Sequence, residues 1–492
     1  MQMRIGGLEG IRQDERTFVT IPERGVMPKA SWMYHAYTDR PLLVWQGDQW
    51  RYIRQTFTVP TEQGASLETL EILSVDQGND FFKFGFQTQD HRLAAIQMPS
   101  RIQVVPENQR VGSSDRTMWR SGTEARLNTT RLYVGDDARF GGRGFSVGST
   151  AQRFEDDMYE PIIQIGLVKA LKAAGHRPGT HRIALTVGVR ITEVLVDEVS
   201  GKQRVNEDVV AALRRLKGTF VVEETIDGSV QVWTLIISRV FPTIQTLGTQ
   251  ILWSRNLLCD QVQEEFRTVG VADWGSGDFG WVIARQKRDQ PLSVEGDVKA
   301  DGAVQIAQAV FDAVKRNFPH LRFSLADAQQ AIVDNALEVG GREWPLFLTE
   351  DLASPLEEVH GEQAQEMSKV GAHAENDRGR STELKIISVR QAYRNAVSGL
   401  VVDATPYLKS SGLFLINTGG TLRNPLVLHR LIQRLSTFER PGDEYLIVPD
   451  QPPIPVWEPS LTPNTSNALG LYVDAYWRLM RMLPLPTTTL PY

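Results

Sequence analysis

The sequence predicts an α/β protein with mixed sheets, built as two related halves around a cleft. Two observations predict it. Strand-like runs alternate with stretches of helical hydrophobic spacing from Leu70 to Met482. Three short glycine-bearing loops also stand far apart, each after a strand-like run. They are Asp76-Gln77-Gly78-Asn79-Asp80, Asp273-Trp274-Gly275-Ser276-Gly277-Asp278 and Thr418-Gly419-Gly420-Thr421.

In chain order, residues 1–67 read as an added N-terminal segment, with Pro22, Pro28, Pro41 and Pro60 among Trp32, Trp45 and Trp50. Leu42–Trp45 and Trp50–Ile53 flank Gly47-Asp48 as a hairpin. The segment is expected to pack on the main body, and a contact with a partner or neighbouring subunit is the alternative. Leu70–Val75, Phe82–Gln87 and His91–Met98 are strands, and residues 105–130 are expected to be loop-rich. Leu132–Gly135 is a short strand with a turn. Ile162–Ala173 has helical spacing and stops at Gly175. The continuous apolar run Ile183–Val189 marks a strand buried on both faces. Asn206 opens a helix over Glu207–Lys217, and Val230–Val240 alternates as a strand.

Ala303–Val314 is a helix, and Ser324 with Asp327 forms a capping box for Leu325–Leu337. Residues 354–384, rich in Glu, read as a polar surface insertion. Gly412–Ile416 is a strand followed by an amphipathic helix. Residues 440–465 are proline-rich, and Ser466–Met482 is a final helix.

Bulk properties narrow the class. The chain has 492 residues, 41% hydrophobic and 23% charged, enough for two or more domains with sizeable cores. A net charge of −6 gives no sign of direct nucleic-acid binding. Cys259 stands alone, which excludes an internal disulfide framework and a cysteine zinc cluster and fits a reducing cytoplasm. Its expected role is that of an idle thiol. The first residues, MQMRIGGLEGIRQDE, lack the apolar core of a signal peptide, and no run reaches membrane-spanning length.

The three loops suit phosphate. Backbone N–H groups at tight turns donate without side-chain entropy, and Gly78, Gly275 and Gly277 let the backbone approach closely. Lys83, on the strand returning from the first loop, can reach back to the β/γ-phosphates as a point charge. Asp76 and Asp273 stand at matching positions, each ending a strand before a glycine turn. Two carboxylates converging from opposite halves can hold Mg2+ through its retained waters. Taken singly, each aspartate reads better as a turn cap, and it is the pair with the third glycine loop that favours the nucleotide.

These residues resemble the actin superfamily, and within it actin-like proteins of the ParM plasmid-segregation type. Asp76-x-Gly78 with Lys83 resembles the first phosphate loop, Asp273-x-Gly275 the second, and Gly419-Gly420 the adenosine loop. Ile96-Gln97-Met98-Pro99-Ser100-Arg101, Tyr133-Val134-Gly135-Asp136-Asp137-Ala138 and Asn467-Ala468-Leu469-Gly470 resemble further segments of the ParM group. The resemblance covers about residues 68–482.

It implies an actin-like two-lobed fold, two ribonuclease-H-like mixed-sheet domains around a nucleotide cleft. The lobes would be 68–265 and 266–465, with 466–492 a helix and tail packing back on the first lobe. The implied nucleotide is ATP, with GTP the alternative, together with Mg2+. The implied nucleotide-binding residues are Asp76, Gly78, Asn79, Lys83, Asp273, Gly275, Ser276, Gly277, Gly302, Gly419, Gly420 and Thr421. Asp76 and Asp273 would serve the metal. Gln245, in Pro242–Gly248, resembles the residue that orients the attacking water, with Gln250 as fallback; Gln245 and Asp273 are the expected catalytic pair.

Two departures stand out. Asp278 adds a carboxylate near the γ-phosphate position, repulsive unless a metal or basic group offsets it. Ser254–Phe266 is longer than the corresponding link in relatives. The implied function is a slow ATPase that assembles into cytoplasmic filaments in plasmid or DNA segregation or another cytoskeletal task. It would contact DNA through an adaptor protein and involve no membrane. The alternatives are a non-polymerising nucleotide-binding regulator and a phosphotransferase of the sugar-kinase branch.

Overall fold

In the computed structural model of the protein, the described residues are 9–13, 16–20, 32–34, 41–46, 49–52, 54–64, 66–78, 81–105, 116–123, 126–127, 130–138, 143–144, 154, 156–196, 203–252, 268–275, 277–285, 293–299, 302–348, 351, 378–409, 414–436, 444–447 and 465–483. Asn79, Ser276, Asp301, Cys259, the 254–266 link and residues 354–377 of the expected insertion lie outside them.

The N-terminal segment supplies an antiparallel pair, β1 (Glu9–Gln13) and β2 (Arg16–Thr20), and a small sheet of β3 (Trp32–Tyr34), β4 (Pro41–Gln46) and β5 (Gln49–Tyr52). β4 and β5 are the arms of the expected hairpin, with Trp45 opposite Trp50 and Gln46 opposite Gln49.

The first lobe begins with β6 (Thr56–Pro60), β7 (Leu67–Gln77), β8 (Phe81–Gln87), β9 (Leu93–Pro99) and β10 (Arg101–Val105). It continues through β11 (Met118–Thr123), β12 (Arg126–Leu127), β13 (Arg131–Val134), β14 (Arg143–Gly144), α1 (Tyr159–Ala173) and β15 (Thr180–Val189). A small ladder, β16 (Val194–Val196) with β17 (Gln203–Val205), precedes α2 (Glu207–Arg214), β18 (Gly218–Ile226), β19 (Ser229–Ile244) and α3 (Leu247–Leu252). One twelve-stranded sheet runs β14-β10-β13-β11-β18-β19-β15-β7-β8-β9, with β12 on β11 and β6 on β7. At its centre β19, β15 and β7 are parallel. Pro242 fits inside β19 because β18 ends its pairing at Ile237, so no partner on that side needs an N–H from it.

The second lobe holds β20 (Thr268–Trp274), β21 (Phe279–Arg285), β22 (Ser293–Lys299), α4 (Ala303–Asn317), α5 (Leu325–Asp334) and the pair β23 (Leu337–Val339) and β24 (Arg342–Trp344). Then come α6 (Arg378–Lys409), β25 (Phe414–Thr418), α7 (Pro425–Ser436), β26 (Glu444–Ile447) and α8 (Ser466–Met482). Its sheet runs β1-β2-β26-β25-β20-β21-β22, with β20 parallel to β25. The N-terminal segment thus feeds both sheets, through β6 in the first and β1–β2 in the second.

Strand parity decides the layers. Leu73 and Val75 of β7 face α1 and α2 in a core with Ile162, Ile165 and Leu213. Leu70 and Ile72, one step out of phase, face α8 in a core with Tyr472, Val473 and Tyr476. That second core continues through α3 to Val269, Val271 and Ile416 of the other sheet. A third, formed by α4, α5, α6 and α7, covers the far face of the second sheet. β15 is buried on both faces, which is why its apolar run does not alternate.

Four expectations are corrected. β11 and β12 lie inside residues 105–130, where loops were expected; Met118 and Trp119 are buried, and β11 pairs along β18. The longest helix among the described residues, α6, starts within the expected insertion, where no helix was expected. β26 lies inside the proline-rich 440–465 stretch. The capping box at α5 is present, Asp327 N–H donating to Ser324 Oγ at 3.2 Å and Ser324 N–H to Asp327 Oδ2 at 2.8 Å. The helix stops at Asn335 (φ 51°), earlier than Leu337, which belongs to β23.

Candidate functional site

The predicted residues that are described gather at or near the carboxyl ends of the parallel strands of both sheets, where open α/β sheets leave a crevice. Asp76 is the penultimate residue of β7 and is fully buried; Lys83 faces it in register on β8. The Lys83 ammonium lies 3.0 Å from Asp76 Oδ2. Asp76 Oδ1 is buried and has no hydrogen-bond partner among the described residues. Gly78 follows at once, its N–H on the Phe81 carbonyl at 3.1 Å and its own carbonyl accepting from Ser100 Oγ at 3.1 Å. Ser100 belongs to the Pro-Ser element singled out in the sequence.

Asp273 ends β20 in the same way. Its Oδ2 accepts from Asn467 Nδ2 at 2.7 Å. Burial drives its pKa upward; Lys83 pulls it down, Asp76 and Asp278 push it up, and the outcome is about 7. The same groups appear from the side of Lys83. Burial opposes its charge, but the carboxylates of Asp76, Asp273 and Asp278 hold its pKa above the ordinary lysine value. Lys83 therefore sits among three carboxylates drawn from two lobes.

The second and third loops are tied together. The Gly275 carbonyl accepts from Thr421 Oγ1 at 2.8 Å and from the Ala303 N–H, the first of α4, at 3.2 Å. Gly302 is the N-cap of α4 and is buried. Gly419 has φ 106°, and a Cβ there would lie 2.4 Å from Trp274 N and O, so only glycine fits between the loops. Gly420 and Thr421 open the turn after β25. Gly277 lies in the turn between Gly275 and Asp278.

Gln245 stands at the corner between β19 and α3, and its N–H donates to the Val189 carbonyl at 2.7 Å. Gly188 separates it from β7: a Cβ built there would lie 3.3 Å from Gln245 Cβ and 3.4 Å from the Val75 carbonyl. Gln245 thus shares one sheet edge with Asp76. Gln250 lies further along α3, half-buried.

Sequence reasoning missed two partners. The buried Arg190, just after β15, pairs with Asp278 Oδ2 at 3.2 Å across the cleft. This is the basic group that offsets the extra carboxylate, and no motif around Arg190 announces it. Asn467 was marked as part of the last helix but not as a neighbour of Asp273. With it, Ser466 Oγ lies 2.6 Å from Thr418 Oγ1 and 2.8 Å from Thr249 Oγ1, and Ser74 Oγ donates to the Ala468 carbonyl at 2.6 Å. The start of α8 is therefore bonded to both lobes.

The residues fit a magnesium nucleotide on two counts: the orphaned, buried Asp76 Oδ1, and the elevated Asp273 carboxyl that a nearby cation would help ionise. The same elevation predicts a pH effect without nucleotide. A carboxyl raised from 3.8 to about 7 on folding lends stability that is full below about pH 4 and is lost as pH rises through 7. The Asp273→Asn variant, which keeps an acceptor for Asn467, is expected to lose that part of the slope. Urea midpoints at pH 5 and pH 8 check this, and parallel shifts in both proteins would contradict it.

Neither a protein-family model nor a curated protein sequence matches the chain. Solved structures do resemble it. An archaeal actin homologue superposes with a TM-score of 0.51 at 15% identity, over 83% of this chain and 99% of its own. A ParM of a 15-stranded filament from Clostridium botulinum gives 0.52 at 14%, over 82% and 99%. A Bacillus thuringiensis ParM hybrid with ADP, containing two ParM mutants, gives 0.50 at 11%, over 83% and 48%. The chain has an actin-like, two-lobed fold. No helix among the described residues is long and apolar enough to cross a membrane.

Proposed function

From this fold, we propose that the protein binds ATP with Mg2+ between its lobes, hydrolyses it slowly and assembles into filaments. Plasmid or DNA segregation, through an adaptor and without direct DNA contact, is the task the resemblance suggests, with another cytoskeletal task the alternative. The observation that carries the reading is the convergence of Asp76 and Asp273, one from each lobe, on Lys83. The ADP bound by the hybrid ParM and the filament of the Clostridium protein support it as properties of those relatives.

Asp76 and Asp273 would hold the ion through its water shell, and Lys83 would meet the terminal phosphates as a point charge. When bound, Mg2+ neutralises phosphate charge. Backbone N–H groups around Gly78, Gly275 and Gly277, and the start of α4 at Gly302, would line the phosphates. Gly419, Gly420 and Thr421 would border the adenosine. Gln245 would orient the attacking water; a neutral amide is a weak base, which fits slow turnover. Asn79 and Ser276 belong to the same proposed set.

Asp278 is the one carboxylate a sugar-kinase reading could use as a base, and its pairing with Arg190 argues against that use. Light scattering, sedimentation and phosphate release with ATP test the proposal. Wild type is expected to form sedimentable polymer with ATP and Mg2+ and to release phosphate. Asp273→Ala is expected to lose both, with release down at least tenfold. Absence of polymer from wild type across magnesium and salt ranges would favour the non-polymerising regulator.

A further inference from the structure

Away from the cleft, towards the amino ends of the same parallel strands, three side chains converge in the first lobe. Glu71 lies on β7, His181 on β15, and His176 in the turn between α1 and β15. His181 Nδ1 is 3.5 Å from Glu71 Oε2, and His176 Nε2 is 3.8 Å from that same oxygen. The three ligand atoms lie within 4.8 Å of one another.

The hydrogen bonding of His181 makes the arrangement informative. Its Nε2 lies 3.0 Å from the Arg177 carbonyl, which can only accept, so Nε2 carries the proton. In the neutral imidazole this leaves a lone pair on Nδ1, 3.5 Å from a carboxylate oxygen. Both Nδ1 and Glu71 Oε2 are buried and without a hydrogen-bond partner, and the His181 side chain is only 10% exposed. Two buried acceptors facing each other are unfavourable unless something positive lies between them. A proton shared in a charge-assisted bond would draw them to about 2.7–2.9 Å. The 3.5 Å and 3.8 Å separations from Glu71 Oε2 are longer than that and leave room for an ion, the edge of a zinc tetrahedron being about 3.4 Å for bonds of about 2.1 Å.

The supports are in place as well. The Arg177 carbonyl fixes the His181 tautomer, as outer partners of metal-bound histidines do. Trp233 stacks on His181 with ring centroids 5.7 Å apart, walling one side. His176 is placed by the helix stop, its N–H on the Leu171 carbonyl at 2.9 Å and the Gly175 N–H on Lys172 at 2.9 Å. The carboxyl end of α1, beside His176, favours a cation.

We propose that Glu71, His176 and His181 bind one divalent transition-metal ion of the zinc class, which fastens the α1–β15 turn to β7. Neutral imidazoles with one carboxylate suit zinc, and three protein ligands leave a fourth position for water.

Metal-stripped protein titrated with Zn2+ and then Co2+ tests this, read by calorimetry, melting temperature and the visible absorption of Co2+. Wild type is expected to bind one equivalent outside the cleft and to melt several degrees higher at a hundredfold excess over Kd. Glu71→Gln and His176→Gln are expected to bind at least tenfold more weakly, while Asp273→Ala retains the site. His176 is the most exposed of the three, so its replacement keeps the test usable if Glu71→Gln fails to fold. No saturable Zn2+ binding by wild type would overturn the proposal. So would binding that survives both ligand substitutions.

Discussion

Replacing Lys83 with methionine is expected to destabilise the nucleotide-free protein by about 3–5 kcal/mol at pH 8, the range for breaking a buried ion pair from one side. Lys83 is 18% exposed and Asp76 is not exposed at all, so solvent screens the pair little. Without the ammonium, Asp76 keeps a buried charge with its nearest cation gone. Asp273, pushed up to about 7 even with Lys83 pulling it down, rises further. A raised folded pKa adds stability at low pH that is lost as pH climbs through it. The deficit of Lys83→Met is therefore expected to grow from pH 5 to pH 8. Urea unfolding at the two values reads it directly. Equal midpoints for variant and wild type at pH 8 would show that the three carboxylates are compensated elsewhere.

The second large effect is steric. A Cβ on Gly470 of α8 would lie 1.6 Å from the Gly248 carbonyl oxygen and 2.2 Å from its carbon, both backbone atoms of α3. No rotamer change relieves such a clash, so the two helices must separate. Gly470→Ala is expected to cost about 4 kcal/mol, beyond the ordinary range for overpacking. Because α8 carries Asn467 to Asp273, the same change is expected to weaken ATP-dependent assembly in the protein that still folds. Gly399→Ala is the matched control. Gly399 lies within α6 with nothing within 4 Å of the added carbon. There the substitution is expected to gain about 0.5–1 kcal/mol from helix propensity. Similar midpoints for the two variants would contradict the packing account.

The parts of the fold legible in the sequence are those governed by local chemistry. Asn206, Ser324 and Gly175 mark helix ends through caps and turns, and Ser466–Met482 is helical over its full expected length. The loops around Asp76, Asp273 and Gly419 were legible only together, because a single glycine turn after a strand is common and three in this order with Lys83 are not. α6 was missed although Ile386, Val389, Tyr393, Val397, Leu400, Val401, Ala404 and Leu408 repeat at helical spacing. The polar stretch before it and Pro406 within it mask that period. β11 was missed because polar neighbours hid the short buried run at Met118 and Trp119. The Arg190–Asp278 pair spans two sheets and 88 positions, and Glu71 meets His176 and His181 because β7 pairs with β15, so neither is legible from local sequence.

The bonds made by α8 also fix a timetable for biosynthesis. Ser74 and its partner Ala468 are 394 residues apart in the chain. At about 5–20 residues per second, a ribosome needs roughly 20–80 s to travel that distance. Throughout that interval the face of β7 carrying Leu70 and Ile72 lacks the tyrosines that cover it in the finished protein. A nascent first lobe would therefore emerge with an open apolar face and an unfinished cleft, making it a natural client for holding chaperones. The proposed assembly would be held back until the last helix has left the exit tunnel.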